Sequence, residues 1–436
     1  MARIGRSIGL LRNREFVALA GTAFARSQAY STILIALALY ADLFGTTGVV
    51  EGLFGTAFAF VQLLIVLPLG RQVDTGNAKR WLLAGLVLNV CVFVGFVFVD
   101  SPTHVILMRL VQGVGAIVLW ITGSTVVGTI APDDEHGRWL GAYNQVGAIS
   151  SLAGDVVGGY LLYTRGFTDT YLVLSGVTLL AFVTVFLYLR DDPGGGTERD
   201  DATLAESVDT IRTLLARPLV RALVVFRLSF SVGKMAVLIF LPILARTEFG
   251  ITAFAIGWIL AGGKLTKALT QGYVGDLSDR VGRKPLFVVC GAVCYGLGTA
   301  LIPLSYAFEG RITPVRIDLF GDPQVLGGAF FALFGAYMIL GVADSIRLPA
   351  SMALFVEEGE RQDAVASAFS LRSISWKIGQ VSGPLLVGAI IDLVSVSVAF
   401  YTAAGFIVVA SVAFWVLVRR AGLSRGADDA LAVGDD

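Results

Sequence analysis

Twelve apolar stretches, each about as long as a membrane-crossing helix, run through the 436 residues of this chain. They fall near 16–44, 49–69, 81–99, 105–130, 140–163, 171–189, 222–245, 253–273, 286–306, 325–350, 366–391 and 396–418. A helix needs about 20 apolar residues to cross a bilayer. A soluble fold is excluded by the same feature. The chain is 56% apolar and only 15% charged, against roughly a quarter charged in ordinary soluble domains. The breaks carry turn residues or charge, as in Asp100-Ser101-Pro102 and Gly321-Asp322-Pro323. The expected class is an all-α membrane protein of twelve transmembrane helices in two six-helix bundles.

Charge sets the orientation. Twenty Lys and Arg fall on the segments that share a side with the N-terminus, and four (Arg165, Arg246, Arg311 and Arg316) fall on the other side. The positive-inside rule therefore predicts both termini in the cytoplasm of a multi-pass cell-membrane protein. The first apolar run is too long for a cleaved leader and reads as the first span. Lys plus Arg equal Asp plus Glu at 33 each, which argues against a nucleic-acid partner. Cys91, Cys290 and Cys294 lie in apolar runs and read as packing residues.

The chain reads as residues 1–190, a six-helix bundle, then a cytoplasmic linker at 191–220, a second bundle at 221–420 and an acidic tail at 421–436. The linker opens on Asp191-Asp192-Pro193-Gly194-Gly195-Gly196, which breaks any helix. Leu204, Val208, Ile211 and Leu215 then follow at helical spacing, which predicts a short amphipathic helix on the inner membrane surface. The two bundles share local sequence. Gly70 with Asp74 follows the second span, and Gly275 with Asp279 follows the eighth. The fifth span carries Ser150, Gly154, Asp155, Gly158 and Gly159; the eleventh carries Gly379, Gly383, Pro384 and Gly388. Internal duplication of this kind marks transporter folds.

The run Gly275-x-x-x-Asp279-Arg280-x-Gly282-Arg283-Lys284 resembles the signature that joins the second and third helices of each half in the major facilitator superfamily. Arg109-x-x-Gln112-Gly113 resembles the fourth-helix motif of that superfamily, and the Gly-rich fifth span resembles the motif of its proton-coupled antiporters. Asp155 stands where that last motif carries Pro. The resemblance covers the whole chain. It implies two bundles that rock about a midplane site, and a fifth and an eighth helix that meet, so that Asp155 and Lys264 can touch. It also implies a cytoplasmic latch of Asp74, Gly275, Asp279, Arg280, Gly282, Arg283 and Lys284. Gly275 would admit a close helix approach, and Asp279 would sit near a helix N-terminus.

Nine cations lie inside the spans: Arg26, Arg109, Arg227, Lys234, Lys264, Lys267, Arg347, Arg372 and Lys377. Well inside the spans the acids are Asp155 and Asp344. A central Lys or Arg costs about 2.5–3.5 kcal/mol on insertion scales. Arg347, Arg227 and Lys377 lie near helix ends, where snorkelling is open to them. Asp344 and Arg347 are three residues apart, the spacing of a local ion pair. The surplus points to a positively charged cavity. Arg26, Arg109, Arg227, Lys234, Lys264, Lys267 and Arg372 are the candidate substrate-binding residues, with Asp155 and Asp344 for proton coupling.

Ala261-Gly-Gly-Lys264-Leu-Thr266 is not a phosphate-binding loop, because the first Gly is misplaced and Leu follows the Lys. His104 and His136 stand apart, so neither a metal site nor a hydrolytic triad is expected, and no cofactor. The sequence reads as a monomeric secondary active transporter, not an enzyme. It would move a small organic solute, anionic or amphiphilic, with protons. The alternatives are a multidrug-type proton antiporter and a non-transporting membrane sensor.

Overall fold

The computed structural model describes residues 9–132, 135–191, 204–319, 322–362 and 364–420. The first half contains α1 (Arg14–Phe44), α2 (Gly48–Thr75), α3 (Ala78–Val97), α4 (Pro102–Ile130), α5 (His136–Thr164) and α6 (Gly166–Tyr188). A linker helix α7 (Leu204–Ala216) follows. The second half contains α8 (Pro218–Thr247), α9 (Ala253–Val281), α10 (Lys284–Phe308), α11 (Gly328–Glu360), α12 (Val365–Leu393) and α13 (Val396–Arg420). Among the described residues, eleven helices are long and apolar enough to cross a membrane. α9 is not in that set, since Lys264 and Lys267 dilute its apolar stretch.

Local chemistry sets the helix ends. Asn13 accepts from the Glu15 and Phe16 amides and caps α1, which stops at Gly45 with φ +56°. Asn77 caps α3 in the same way, through the Arg80 amide. Pro opens α4 and α8 at the position where its missing N–H costs nothing. Inside α8 a π turn spans Ala236–Phe240, just ahead of Pro242. Proline brings no N–H to the helix ladder, and a wider turn accommodates that loss.

Two compact units result. One holds residues 1–46, 53–198 and 246–258; the other holds 47–52, 199–245 and 259–436. Within the first, α1 packs on α5 and α6, and α3 packs on α4 and α6. Within the second, α8 packs on α12 and α13, and α10 packs on α11 and α13. The pairing is the same in each, helix for helix. Glycine makes the α1–α5 contact close. A Cβ on Gly154 would fall 2.5 Å from the Gln28 carbonyl oxygen, and Gly158 lies against Thr32. Thr32 Oγ1 then donates to the Gly154 carbonyl at 3.0 Å, and Ser150 Oγ donates to that of Phe24 at 2.5 Å. In the second unit Gly379 and Gly383 lie in the same way against Ser231 and Val232 of α8.

Several expectations are corrected. The chain is not wholly α: Val315–Leu319 and Asp322–Leu326 pair as an antiparallel hairpin in the loop before α11. That loop alternates apolar and polar residues (Val315-Arg-Ile317-Asp-Leu319), the period of a strand. The linker helix α7 packs on α8 and α12, with Leu214 fully buried. Cys91 and Cys290 are exposed on their helices rather than packed inside. Gly275 makes no close approach to any described residue, since a Cβ there would have none within 4 Å. The side chain of Asp74, residues 192–203 of the linker and the tail after 420 lie outside the described residues.

The contrast between glycines is testable. Gly154→Ala is expected to destabilise the protein by about 1–3 kcal/mol through overpacking, whereas Gly275→Ala leaves the melting temperature in detergent unchanged. Equal melting of the two variants would refute the packing account.

Candidate functional site

Arg109 shows how the fourth-helix motif works. It is 1% exposed, and its Nε donates to the Phe54 carbonyl of α2 at 2.8 Å. Nη1 donates to Gln112 Oε1 at 2.6 Å, and the guanidinium lies 4.4 Å from the Phe58 ring centre. Gly113 brings α4 so near α2 that a Cβ would sit 2.5 Å from the Phe58 carbonyl oxygen. Arg109, Gln112 and Gly113 therefore tie two helices together.

Arg26 differs. It lies twelve residues into α1, about 18 Å from that helix's first residue at 1.5 Å per residue. Its guanidinium lies 4.4 Å from the centre of the Trp120 ring. Nε is buried and donates to nothing, and no hydrogen bond or ion pair joins the side chain to any described residue. Asp155 is fully buried on α5, and its backbone carbonyl touches Gly257 in the first turns of α9.

In the second unit the charges converge on one carboxylate. Asp344 of α11 receives Lys234 Nζ from α8, Arg347 Nη2 at 2.9 Å and Lys267 Nζ of α9 at 3.7 Å. The ammonium of Lys234 lies within 5.0 Å of the Tyr295 ring centre and 5.9 Å of those of Phe230 and Trp376. Arg347 lies 3.9 Å from the Phe230 centre. Arg227 lies 5.2 Å from that of Trp376, and its Nε donates to the Arg372 carbonyl at 2.7 Å. Arg372 stands 5.9 Å from the Phe369 ring centre. Neither Arg227 nor Arg347 snorkels. They are 6% and 2% exposed, held inside by rings and acceptors. The Asp344–Arg347 pair forms as its spacing allows, but it is one arm of a larger network.

Lys264 is half-buried on α9. The glycines before it are packing residues: Gly262 lies against Phe334 and Gly263 against Tyr337 of α11.

At the far end of α9, Gly282 takes φ +69° and ends the helix, which is the conformation its place in the signature requires. Asp279, Arg280 and Arg283 are exposed there. Lys284 pairs with Glu357 of α11. Next to it Glu358 is 2% exposed and takes Arg361 at 2.6 Å and Arg217 at 3.3 Å.

A family model described as Major Facilitator Superfamily matches residues 19–244 and again 223–431. The chain belongs to the major facilitator superfamily. Among curated proteins it is similar to the multidrug resistance protein MdtG of Salmonella choleraesuis (strain SC-B67), 24% identical with 92% of this chain and 94% of that protein covered. The MdtG of Escherichia coli O17:K52:H18 is 25% identical over 91% and 92%. Among solved structures the nucleoside transporter NupG superposes with a TM-score of 0.71 at 13% identity, covering 92% of this chain and 98% of that one. A POT family transporter in complex with a thioalcohol-conjugated peptide gives 0.74 at 13%, covering 94% and 96%. The facilitator fold is thus shared, and the chain is a multi-pass secondary transporter of that superfamily.

Sequence reasoning missed the rings that line this facilitator's cations. The signal was available: Phe230 and Lys234, and Arg372 and Trp376, stand four apart and so share a helix face. Glu357 and Glu358 were also missed, because they lie past the tenth apolar stretch.

Removing one member of a buried ion cluster leaves the others uncompensated, at about 3–5 kcal/mol. Asp344→Asn is expected to destabilise the protein by that amount, and Lys234→Met added to it restores part of the loss. Thermal melts in detergent would check this; a neutral Asp344→Asn would show that the cluster does not hold the second unit together.

Proposed function

We propose that this facilitator moves a small organic anion across the cell membrane by alternating access, coupled to protons. The carrying observation is Arg26, a guanidinium midway along a membrane helix, stacked on Trp120 and donating to no described residue. Such a group is costly in a bilayer and suits a solute that brings the missing acceptor. Lys267, partly exposed beside Asp344, supports the same reading. Arg109 and Lys234 are engaged by the protein itself and shape the lining. The chain acts as a monomer, with twelve spans and both termini in the cytoplasm; the excess of Lys and Arg on one side supports that orientation. The exposed Asp279, Arg280 and Arg283 with the paired Lys284 act as a cytoplasmic latch.

Asp155 is the proton carrier we favour: it is a carboxyl group fully buried on the glycine-rich face of a membrane helix, α5, where taking up a proton removes the cost of a buried charge. Asp155→Asn is expected to abolish transport driven by a pH gradient and to leave solute exchange intact. Full coupling in that variant would remove Asp155 from the role.

The second reading is a multidrug-type proton antiporter, supported by the similarity to the multidrug resistance protein MdtG. Counterflow in proteoliposomes separates the two. The anion reading expects uptake of labelled organic anions, lost at least tenfold in Arg26→Gln with insertion unchanged. Counterflow of cationic drugs alone, unaffected by Arg26→Gln, favours the multidrug reading. No counterflow of either class would point to a sensor.

A further inference from the structure

Arg227, Arg347 and Arg372 come from α8, α11 and α12, and the second unit gathers them through shared neighbours. Arg227 donates to the Arg372 backbone and lies over Trp376. Lys234 reaches that same ring and also Phe230, over which Arg347 sits. Arg347 gives one nitrogen, Nη2, to Asp344. Arg227 Nη1, Arg347 Nε and Nη1, and Arg372 Nε are buried and reach no acceptor among the described residues.

A buried donor left without an acceptor is destabilising, and more so when the group is charged. Water can satisfy an N–H, but it does not neutralise the charge. Asp344 already serves Lys234, Lys267 and Arg347, and Arg227 and Arg372 have no carboxylate among the described residues. The cluster therefore calls for a ligand with more than one negative charge and several acceptor oxygens. A carboxylate is planar and is satisfied by a single forked guanidinium. Guanidiniums arriving from three helices match a tetrahedral group better.

We propose that Arg227, Arg347 and Arg372 form a binding site for a tetrahedral oxyanion, of the phosphate or sulfate type. It rests on the anionic-solute reading above only for what the oxyanion is attached to. It is either the head group of the transported solute or a free inorganic ion that stays with the protein.

The test is equilibrium binding of labelled inorganic phosphate and sulfate to the purified full-length chain in detergent. Saturable binding is expected, displaced by an organic phosphate monoester and not by acetate at equal concentration. Arg227→Gln and Arg372→Gln are expected to weaken it at least tenfold. Arg316→Gln, an equal loss of charge at an exposed position, leaves it unchanged. If a Gln variant fails to fold, Arg372→Lys keeps the charge and is expected to weaken binding severalfold through loss of the fork.

Absence of saturable binding to the unmodified chain overturns the site, as does binding untouched by Arg227→Gln and Arg372→Gln or equal displacement by acetate. Counterflow of organic anions without phosphate binding would overturn the site alone. Phosphate binding together with counterflow of organic phosphates makes the oxyanion the solute's head group. Phosphate binding together with counterflow of cations alone leaves a resident inorganic ion and overturns the anionic-solute reading.

Discussion

A charge carried into a bilayer has no water to solvate it, so the protein must supply the solvation. Most of what is distinctive in the second unit follows from meeting that demand. Lys234 is surrounded by three aromatic rings and a carboxylate. Arg227 borrows a backbone carbonyl and the Trp376 ring, and Arg347 borrows Phe230. Ring faces carry partial negative charge, so aromatic residues stand in for anions where a second Asp would be harder to place. The first unit uses the same means for Arg109, through Phe58, a carbonyl and Gln112.

The helices were legible because a membrane span is read by length and hydropathy alone. The direction expected for the chain relative to the membrane rests on the clustering of Lys and Arg on alternate segments. What escaped was set by tertiary contact. Arg26 and Arg109 look alike in sequence, each an Arg within an apolar run. One stacks on Trp120 with its donors unused, and the other binds the Phe54 carbonyl across a glycine contact. Gln112, three residues after Arg109, marks part of the second arrangement, but the Phe54 carbonyl and the Trp120 ring come from other helices and leave no mark beside either Arg. The hairpin at 315–326 was hidden for another reason: ten residues of strand pattern sit between long apolar runs that dominate any window.

The signature at 275–284 shows where a resemblance can mislead. Its glycines do separate things. Gly282 ends a helix in a left-handed turn, while a Cβ at Gly275 would meet none of the described residues. In the first unit, glycines that hold helices close include Gly113, Gly154 and Gly158, in the fourth and fifth helices, which press on backbone or on Thr32.

The π turn at Ala236–Phe240 has a bearing on which changes in length the chain tolerates. A π turn holds one residue more than the α turn it replaces. Taking one residue out of 236–240 would let α8 rewind as a regular helix. Because the wide turn already absorbs the extra residue, the segments before and after it would keep their facing. The same deletion in a regular part of α8 would rotate everything beyond it by about 100°. Lys234 therefore stays on the face it shares with Arg227 and Ser231, and Pro242 keeps its register, only when the residue lost comes from the wide turn. The π turn is the place along α8 where the chain absorbs a change of one residue without turning its charged face away.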